Sequence, residues 1–307
     1  MANPHTIPDE FRTEFSTVVE YSIQQKLSKF APKTKTDNFK GAEKVYTKQE
    51  STSMERRTGR LRQTSLNENT YLNRKAFKVE FSKHFIFDKW DQEKLGEIGL
   101  PDSETVTDLK SAWQRAIDDL IIEAATGNVY GGLHPYVTPI ALPAEQKVAV
   151  NYKGIGETAG NCHLVPAKLI RAAAIFEANE LDPHENETFV AINPTAKEQL
   201  LQYVSDATND VWAKMCIPWL EGKESKLFGF TPVMSNRLAY DSANEIDTLF
   251  AWNRDCGIWI ANEKLEIRMS IRDDLEHALQ ISAYGQMSAH RHDEKGVVQI
   301  SCDRLLT

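Results

Sequence analysis

The residues able to do chemistry in this chain fall in three short stretches. In GIGETAG, residues 154–160, Gly154, Gly156 and Ala159 satisfy G-x-G-x-x-A behind the strand-like KVAVNYKG. That spacing lets a loop approach a dinucleotide pyrophosphate. The loop must then open directly into a helix whose N-terminal dipole meets the phosphate. Here NCHLVP intervenes before a helix begins near Pro166, and no strand ending in an acidic residue follows at the required distance. The stretch reads as a flexible loop, and a nicotinamide-dependent oxidoreductase using the 154–160 glycine loop is the alternative from a different class. HRH at His290 to His292, followed by Asp293, has metal-ligand residue types. Successive residues on a strand point to opposite faces, so one ion is not easily shared, and a solvated turn before the last strand is expected. Cys162 and His163 are neighbours, whereas the partners of a nucleophile–base dyad meet from separate elements. With no nucleophile elbow, the expectation is no enzyme, and no catalytic, cofactor-binding or metal-binding residue.

Composition narrows the classes further. The 307 residues are 41% hydrophobic and 26% charged with a formal net charge of -8, which suits a globular protein and argues against a dedicated nucleic-acid binder. No run of 18 apolar residues exists to span a membrane, and MANPHTIPDEF lacks the basic start and apolar stretch of a signal peptide. Cys162, Cys216, Cys256 and Cys302 form no CxxC pair. Buried, reduced thiols and folding in a cytoplasm are expected.

The elements that would position any site have clear patterns. Phe11, Phe15, Val18, Val19, Ile23, Leu27 and Phe30 form a helical stripe over 11–30, stopped by Pro32. Residues 39–75 are poor in large apolar residues. Strand-like pieces at Val45–Gln49 and Arg60–Leu66 flank the polar tip ESTSMERRTG, which reads as a long two-stranded ribbon. Isolated hairpins are marginal in water, so it wants a neighbour. Between Lys40 and Arg62 there are seven Lys or Arg against three Glu.

Phe77, Val79, Phe81, Phe85 and Phe87 then alternate with polar residues in the pattern of a strand with one wet face. TDLKSAWQRAIDDLIIEAATG predicts a long helix over 103–126, with Val106, Leu109, Trp113, Ile117, Leu120, Ile121 and Ala124 on one face. It carries nothing reactive. An α/β unit follows over 147–257: helices from Pro166 and within TAKEQLLQYVSDA, and a buried strand TFVAINP. GIWIANEKLEIRMSI reads as a strand, DDLEHALQISAYGQMSA as a helix and GVVQISCD as the last strand.

This order of parts resembles the major capsid proteins of tailed double-stranded DNA bacteriophages, of the Hong Kong 97 fold and phage capsid family. The stretches that carry it are RRTGRLRQTSLNENTYLNRKAFKVEF, AWQRAIDDLIIEAATG, LVPAKLIRAAAIFEANE, FVAINPTAKEQLL and AYGQMSAHRHDEKGVVQISCD, collinear over 15–302. The resemblance implies an α+β fold: an N-terminal arm at 1–38, an extended hairpin (E-loop) at 39–76, a peripheral domain at 77–139 with its spine helix at 103–126, an axial domain at 140–262, and the second peripheral part at 263–307. It implies hexamers and pentamers in an icosahedral virion shell, assembled in the bacterial host cytoplasm; no lysine of the hairpin is singled out for cross-linking, so non-covalent assembly is expected. The shell would enclose double-stranded DNA without sequence-specific binding or a membrane. Implied partners are a portal, a decoration protein and, since only about 40 residues precede the hairpin, a separate scaffolding protein. An encapsulin-like compartment shell is the sibling alternative. Between subunits, Arg56, Arg57, Arg60 and Arg62 of the hairpin tip are expected to dock on Asp118, Asp119 and Glu123 of the long helix.

Overall fold

A computed structural model describes residues 25–50, 54, 56, 70–87, 102–154, 160–206, 210–223 and 225–305. Two compact units divide the chain: Glu80–Arg115 and Leu265–Gly285 belong to one, and Ser28–Val79, Ala116–Lys264 and Gln286–Thr307 to the other.

The first strands are β1 (Lys35–Asp37), β2 (Glu43–Gln49), β3 (Tyr71–Phe77) and β4 (Val79–Phe87), and the long helix α1 spans Asp102–Thr126. Leu109, Trp113, Ile117, Ile121 and Ala125, each four residues on from the last, are all buried, the periodicity of a helix with one apolar face. At about 1.5 Å per residue the rod is about 37 Å long. It stops at Gly127, whose N–H closes on the Glu123 carbonyl at 2.8 Å. A Cβ at Gly127 would sit 2.6 Å from that same oxygen, so only glycine fits the cap.

Beyond it come β5 (Val129–Gly131), β6 (Thr138–Ile140), β7 (Lys147–Val148), α2 (Pro166–Ala178), β8 (Thr188–Ile192), α3 (Pro194–Asp206) and α4 (Asp210–Leu220). The remaining strands are β9 (Phe230–Met234), β10 (Tyr240–Asp241), β11 (Ile246–Asn253), β12 (Ile258–Arg272), β13 (Ala278–Arg291) and β14 (Val297–Asp303). Three sheets result, in the orders β1-β12-β13-β4, β7-β14-β11-β8-β9 with β10 on β11, and β2-β3-β5-β6. Every residue of β8 is buried, as expected of a strand covered on both faces. α4, which carries Pro218, has no counterpart in the sequence reading.

The core of the larger unit gathers around β11. Phe30 stacks on Phe250 at 5.8 Å and meets Trp252 at 5.6 Å, and the Trp252 indole donates to the Lys33 carbonyl at 3.0 Å. Lys168 is fully buried, and its ammonium donates to the carbonyls of Val150, Cys162 and Ser301 at 2.9, 2.8 and 2.7 Å. In the smaller unit Leu109, Ile281 and Ala283 form a cluster with Phe85, Leu265 and Ile267, and Phe81 meets Trp113 edge-on at 5.6 Å.

Several expectations need correction. Of the helix expected over 11–30, only 25–30 lie among the described residues, and they are not helical. The Asp118 carboxylate takes the Ser28 hydroxyl at 2.6 Å and the N–H groups of Lys29 and Phe30 at 3.2 and 3.3 Å, drawing them away from helical bonding. The alternation read from Phe77 to Phe87 breaks at Lys78. Ala76 is buried, while Phe77 faces outward against Tyr130 at 5.9 Å. DDLEHALQISAYGQMSA is not a helix: after a 3-10 turn at Asp273–Leu275, β13 runs between β12 and β4. Pairing on both edges overrides the helix propensity of its Ala, Leu and Gln. The strand expected at Arg60–Leu66 lies outside the described residues.

Candidate functional site: the seat of the hairpin

The ribbon forms because β2 and β3 pair antiparallel from Glu43↔Phe77 to Gln49↔Tyr71. The Glu50 N–H then bonds the Thr70 carbonyl at 2.9 Å. On the other edge β3 pairs with β5 through Arg74↔Gly131 and Lys75↔Tyr130. The base of the ribbon is therefore the end of a four-stranded sheet. Of the tip, Met54 and Arg56 are described and exposed; Arg57, Arg60 and Arg62 lie outside the described residues.

The side chains that hold this base come from the stretch HRHDE, residues 290–294. His290 and Arg291 are buried, at 4% and 0% exposure, so the expectation of a solvated turn is overturned. Alternation along the end of β13 sends neighbours to opposite sides. His290 stacks on Tyr46 of β2, ring centroids 5.0 Å apart and planes 20° apart. His292 lies flat on Trp259 at 3.8 Å and 7°, and Tyr46 meets Trp259 edge-on at 5.4 Å. Arg291 points the other way, donating to the carbonyls of Ala125, Gly127 and Ile140 at 3.1, 2.8 and 3.1 Å. A cation at the C-terminal end of α1 also meets the negative pole of that helix.

Charges complete the seat. Lys48 of β2 pairs with Asp293, and Arg74 of β3 with Glu294. Asp37 of β1 accepts from Lys44 at 2.8 Å and from the Tyr46 hydroxyl at 2.5 Å. Those two bonds, led by Lys44, hold its carboxyl down at about 2, and burial together with Asp37 raises the Tyr46 phenol. Burial, reinforced by the neighbouring His292, lowers His290 to about 3. Burial, reinforced by Lys48 and Lys35, lowers His292 to about 4. Neither ring nitrogen of His290 has a hydrogen-bond partner among the described residues. Nothing in the order H-R-H announces this role; its signal was the wish of a long ribbon for something to lie on.

The expected inter-subunit residues separate cleanly. Asp118 is fully buried in its own chain, bonded to Ser28, Lys29 and Phe30 as described, so it is corrected from docking target to structural anchor. Asp119 is held by Arg237 through both carboxylate oxygens, the Nε bond being 2.6 Å. Glu123 is exposed.

The other motifs are not brought together. His163 packs against Tyr203 at 5.7 Å, while the Cys162 thiol donates to the carbonyls of Val150 and Tyr152 at 3.3 and 3.2 Å. Burial pushes the thiols of Cys216 and Cys256 up to about 11 and that of Cys302 to about 12, away from nucleophilic thiolate character. Residues 155–159 of the glycine loop lie outside the described residues. Among the described residues no group of three His, Cys, Asp or Glu could hold a metal ion, and no helix is long and apolar enough to cross a membrane.

A family model described as phage capsid protein matches residues 7–304. Among solved structures, the chain is similar to the cyanophage Pam1 capsid asymmetric unit, at 12% identity over 99% of both chains with a TM-score of 0.68. It is also similar to the capsid of Ralstonia phage GP4, at 9% identity over 98% of this chain and 96% of that one, TM-score 0.68. A third likeness is to Mycobacterium phage Che8, at 16% identity over 97% and 98%, TM-score 0.60. No curated protein sequence matches.

Proposed function

Because the chain belongs to the phage capsid protein family and has the Hong Kong 97-type α+β fold of its capsid neighbours, we propose that its copies assemble through hexamers and pentamers into an icosahedral head around double-stranded DNA. Its role as a major capsid protein of the phage head is structural. The family match favours neither an encapsulin-like shell nor the oxidoreductase reading.

The observation that carries the assembly mechanism is the ribbon itself. Its base is fixed by Tyr46, Lys48 and Arg74 in the body of the chain, while Met54 near its tip is 99% exposed. A two-stranded projection gains little by itself, so the tip finds its partner on another copy. We assign the basic tip, with Arg56, Arg57, Arg60 and Arg62, to an acidic neighbour surface that includes Asp119 and Glu123. Such contacts are individually weak, and their repetition around closed rings makes the shell. In this reading the six-stranded sheet, with β14 supplied from beyond residue 262, faces the five- and six-fold axes. The α1 rod supports the periphery. Portal, a separate scaffolding protein and a decoration protein are the further partners, and assembly takes place in the host cytoplasm without covalent cross-links.

Negative-stain microscopy of the purified, overexpressed chain tests the reading: shells, tubes or sheets of hexamers are expected. Dispersed subunits under all assembly conditions would overturn it. The tip contact has its own test, since reversing Arg56 and Arg57 to Glu should impair particle formation and leave the subunit folded. Normal particles from that variant would remove the docking assignment.

A further inference from the structure

The seat of the hairpin contains groups that its structural role alone does not require. Tyr46 is a satisfied polar aromatic, and an apolar ring facing it would pack as well as His290. Instead two imidazoles, His290 and His292, lie side by side with ring centroids 6.1 Å apart, the first of them without a protein partner for either nitrogen.

The surrounding charges decide what a proton would do there. Lys35 and Asp37 face the pair from β1, Lys44, Tyr46 and Lys48 from β2, Arg74 from β3, and Asp293 and Glu294 from the turn that follows β13. Trp259 supplies the remaining wall from β12, with the Lys35 ammonium 4.5 Å from its ring. Each of the three carboxylates already has a cation: Asp37 has Lys44, Asp293 has Lys48 and Glu294 has Arg74. Lys35 has no carboxylate within ion-pair distance among the described residues, so the cluster holds more cations than anions before either histidine is charged. An imidazolium at His290 would be buried, with no partner at either ring nitrogen and among like charges, and one at His292 would be half-buried among the same cations.

We propose that His290 and His292 form an acid-releasable latch for the extended hairpin, holding Tyr46 and β2 while neutral and letting the ribbon leave its seat when protonated. The six-stranded sheet, whose β8 and β11 do not touch the latch residues in their pairing, stays folded through the change. The sign follows from linkage. Both histidines are held below their ordinary value of 6.5 when seated, so the seated state is fully favoured above that value. It is lost as the pH falls from there toward about 3 for His290 and about 4 for His292. Over that window each histidine multiplies the released fraction by about tenfold per pH unit. The latch rests on the assembly reading only for its consequence, which is that acid would change the angle at which the ribbon meets a neighbour.

Hydrogen exchange on the unassembled full chain tests it, with protection factors measured from pH 7 to pH 3. Amides of 43–49 and 71–77 should lose protection steeply below pH 6.5 while those of 188–192 and 246–253 keep theirs. The double variant His290→Phe, His292→Phe retains the ring stack and removes the protons, and its profile should stay flat down to about pH 4. Loss of both regions together, or a variant profile equal to the parent's, would overturn the latch. If that variant does not fold, the imidazole titration of His290 in the parent decides: a midpoint near 6.5 with the hairpin still protected refutes the proposal, and a midpoint well below supports it. Because subunits rather than particles are measured, the latch can fail while shells form, or hold while none do.

Discussion

The guanidinium of Arg291 donates to the carbonyl of Gly127 at 2.8 Å, joining the end of β13 to the end of α1 across 164 residues of chain. The same group reaches Ala125 and Ile140, and its Nε lies 3.8 Å from the Glu294 carboxylate. Arg291→Met would keep the bulk and leave these carbonyls, of which that of Ala125 is buried, without this donor. The expected loss is about 2–4 kcal/mol, read as a lower midpoint in urea denaturation. A shift under about 0.5 kcal/mol would mean that the carbonyls find water instead.

A second relationship concerns space. A Cβ at Gly285 would come within 2.3 Å of the Trp113 ring, so β13 can lie against α1 in the smaller unit only because that position has no side chain. Gly285→Ala should cost about 1–3 kcal/mol through overpacking. Combining it with Trp113→Leu should cost less than the two singles added. Strict additivity in a double-mutant cycle would show that the indole is not the obstacle.

The difference between what the sequence discloses and what it withholds follows the range of the forces involved. The α1 rod and α2 can be read from residues three and four apart, because Leu109, Trp113, Ile117 and Ile121 carry the information locally. β13 cannot, since its composition favours helix and its strand state depends on β4 and β12. α4 hides behind Pro218, which ordinarily speaks against a helix interior. HRH looks solvated until Tyr46 and Trp259, far away in the chain, are placed over it. For the same reason Asp118 and Asp119 look equivalent in sequence and have opposite fates in the fold.

Asp37 gives the hairpin base a second, lower acid window. Its carboxyl is held at about 2 by Lys44 and Tyr46 against an ordinary 3.8. A depressed carboxylate stabilises the fold above its unfolded value and ceases to do so as the pH falls through its folded one. Asp37→Asn should therefore weaken the base above pH 4, flatten the acid response between about 4 and 2, and lower His290 further by removing a carboxylate that raises it. Tyrosine fluorescence during acid titration would follow this, since Tyr46 is bonded to Asp37. Unchanged steepness below pH 4 would assign that window to another group.

Asp118 and Asp119 provide the sharpest contrast, because they are adjacent and chemically identical. Asp118 is fully buried and bonds Ser28 at 2.6 Å with the N–H groups of Lys29 and Phe30. Replacing it by Ala strips that segment of its acceptor next to Phe30, which fills the core against Trp252. The expected cost is about 2–3 kcal/mol, with no specific effect on how folded subunits associate. Asp119 pairs with Arg237 in the open, its side chain 49% exposed, so Asp119→Ala should stay within about 0.5 kcal/mol of the parent. If the basic hairpin tip does seek this face of α1 on a neighbour, the Asp119 variant, and more so one combined with Glu123→Ala, should assemble poorly despite normal stability. Denaturation midpoints and particle yields measured on the same preparations separate the two effects. Full particle yield from the Asp119, Glu123 double variant would move the docking surface elsewhere on the subunit.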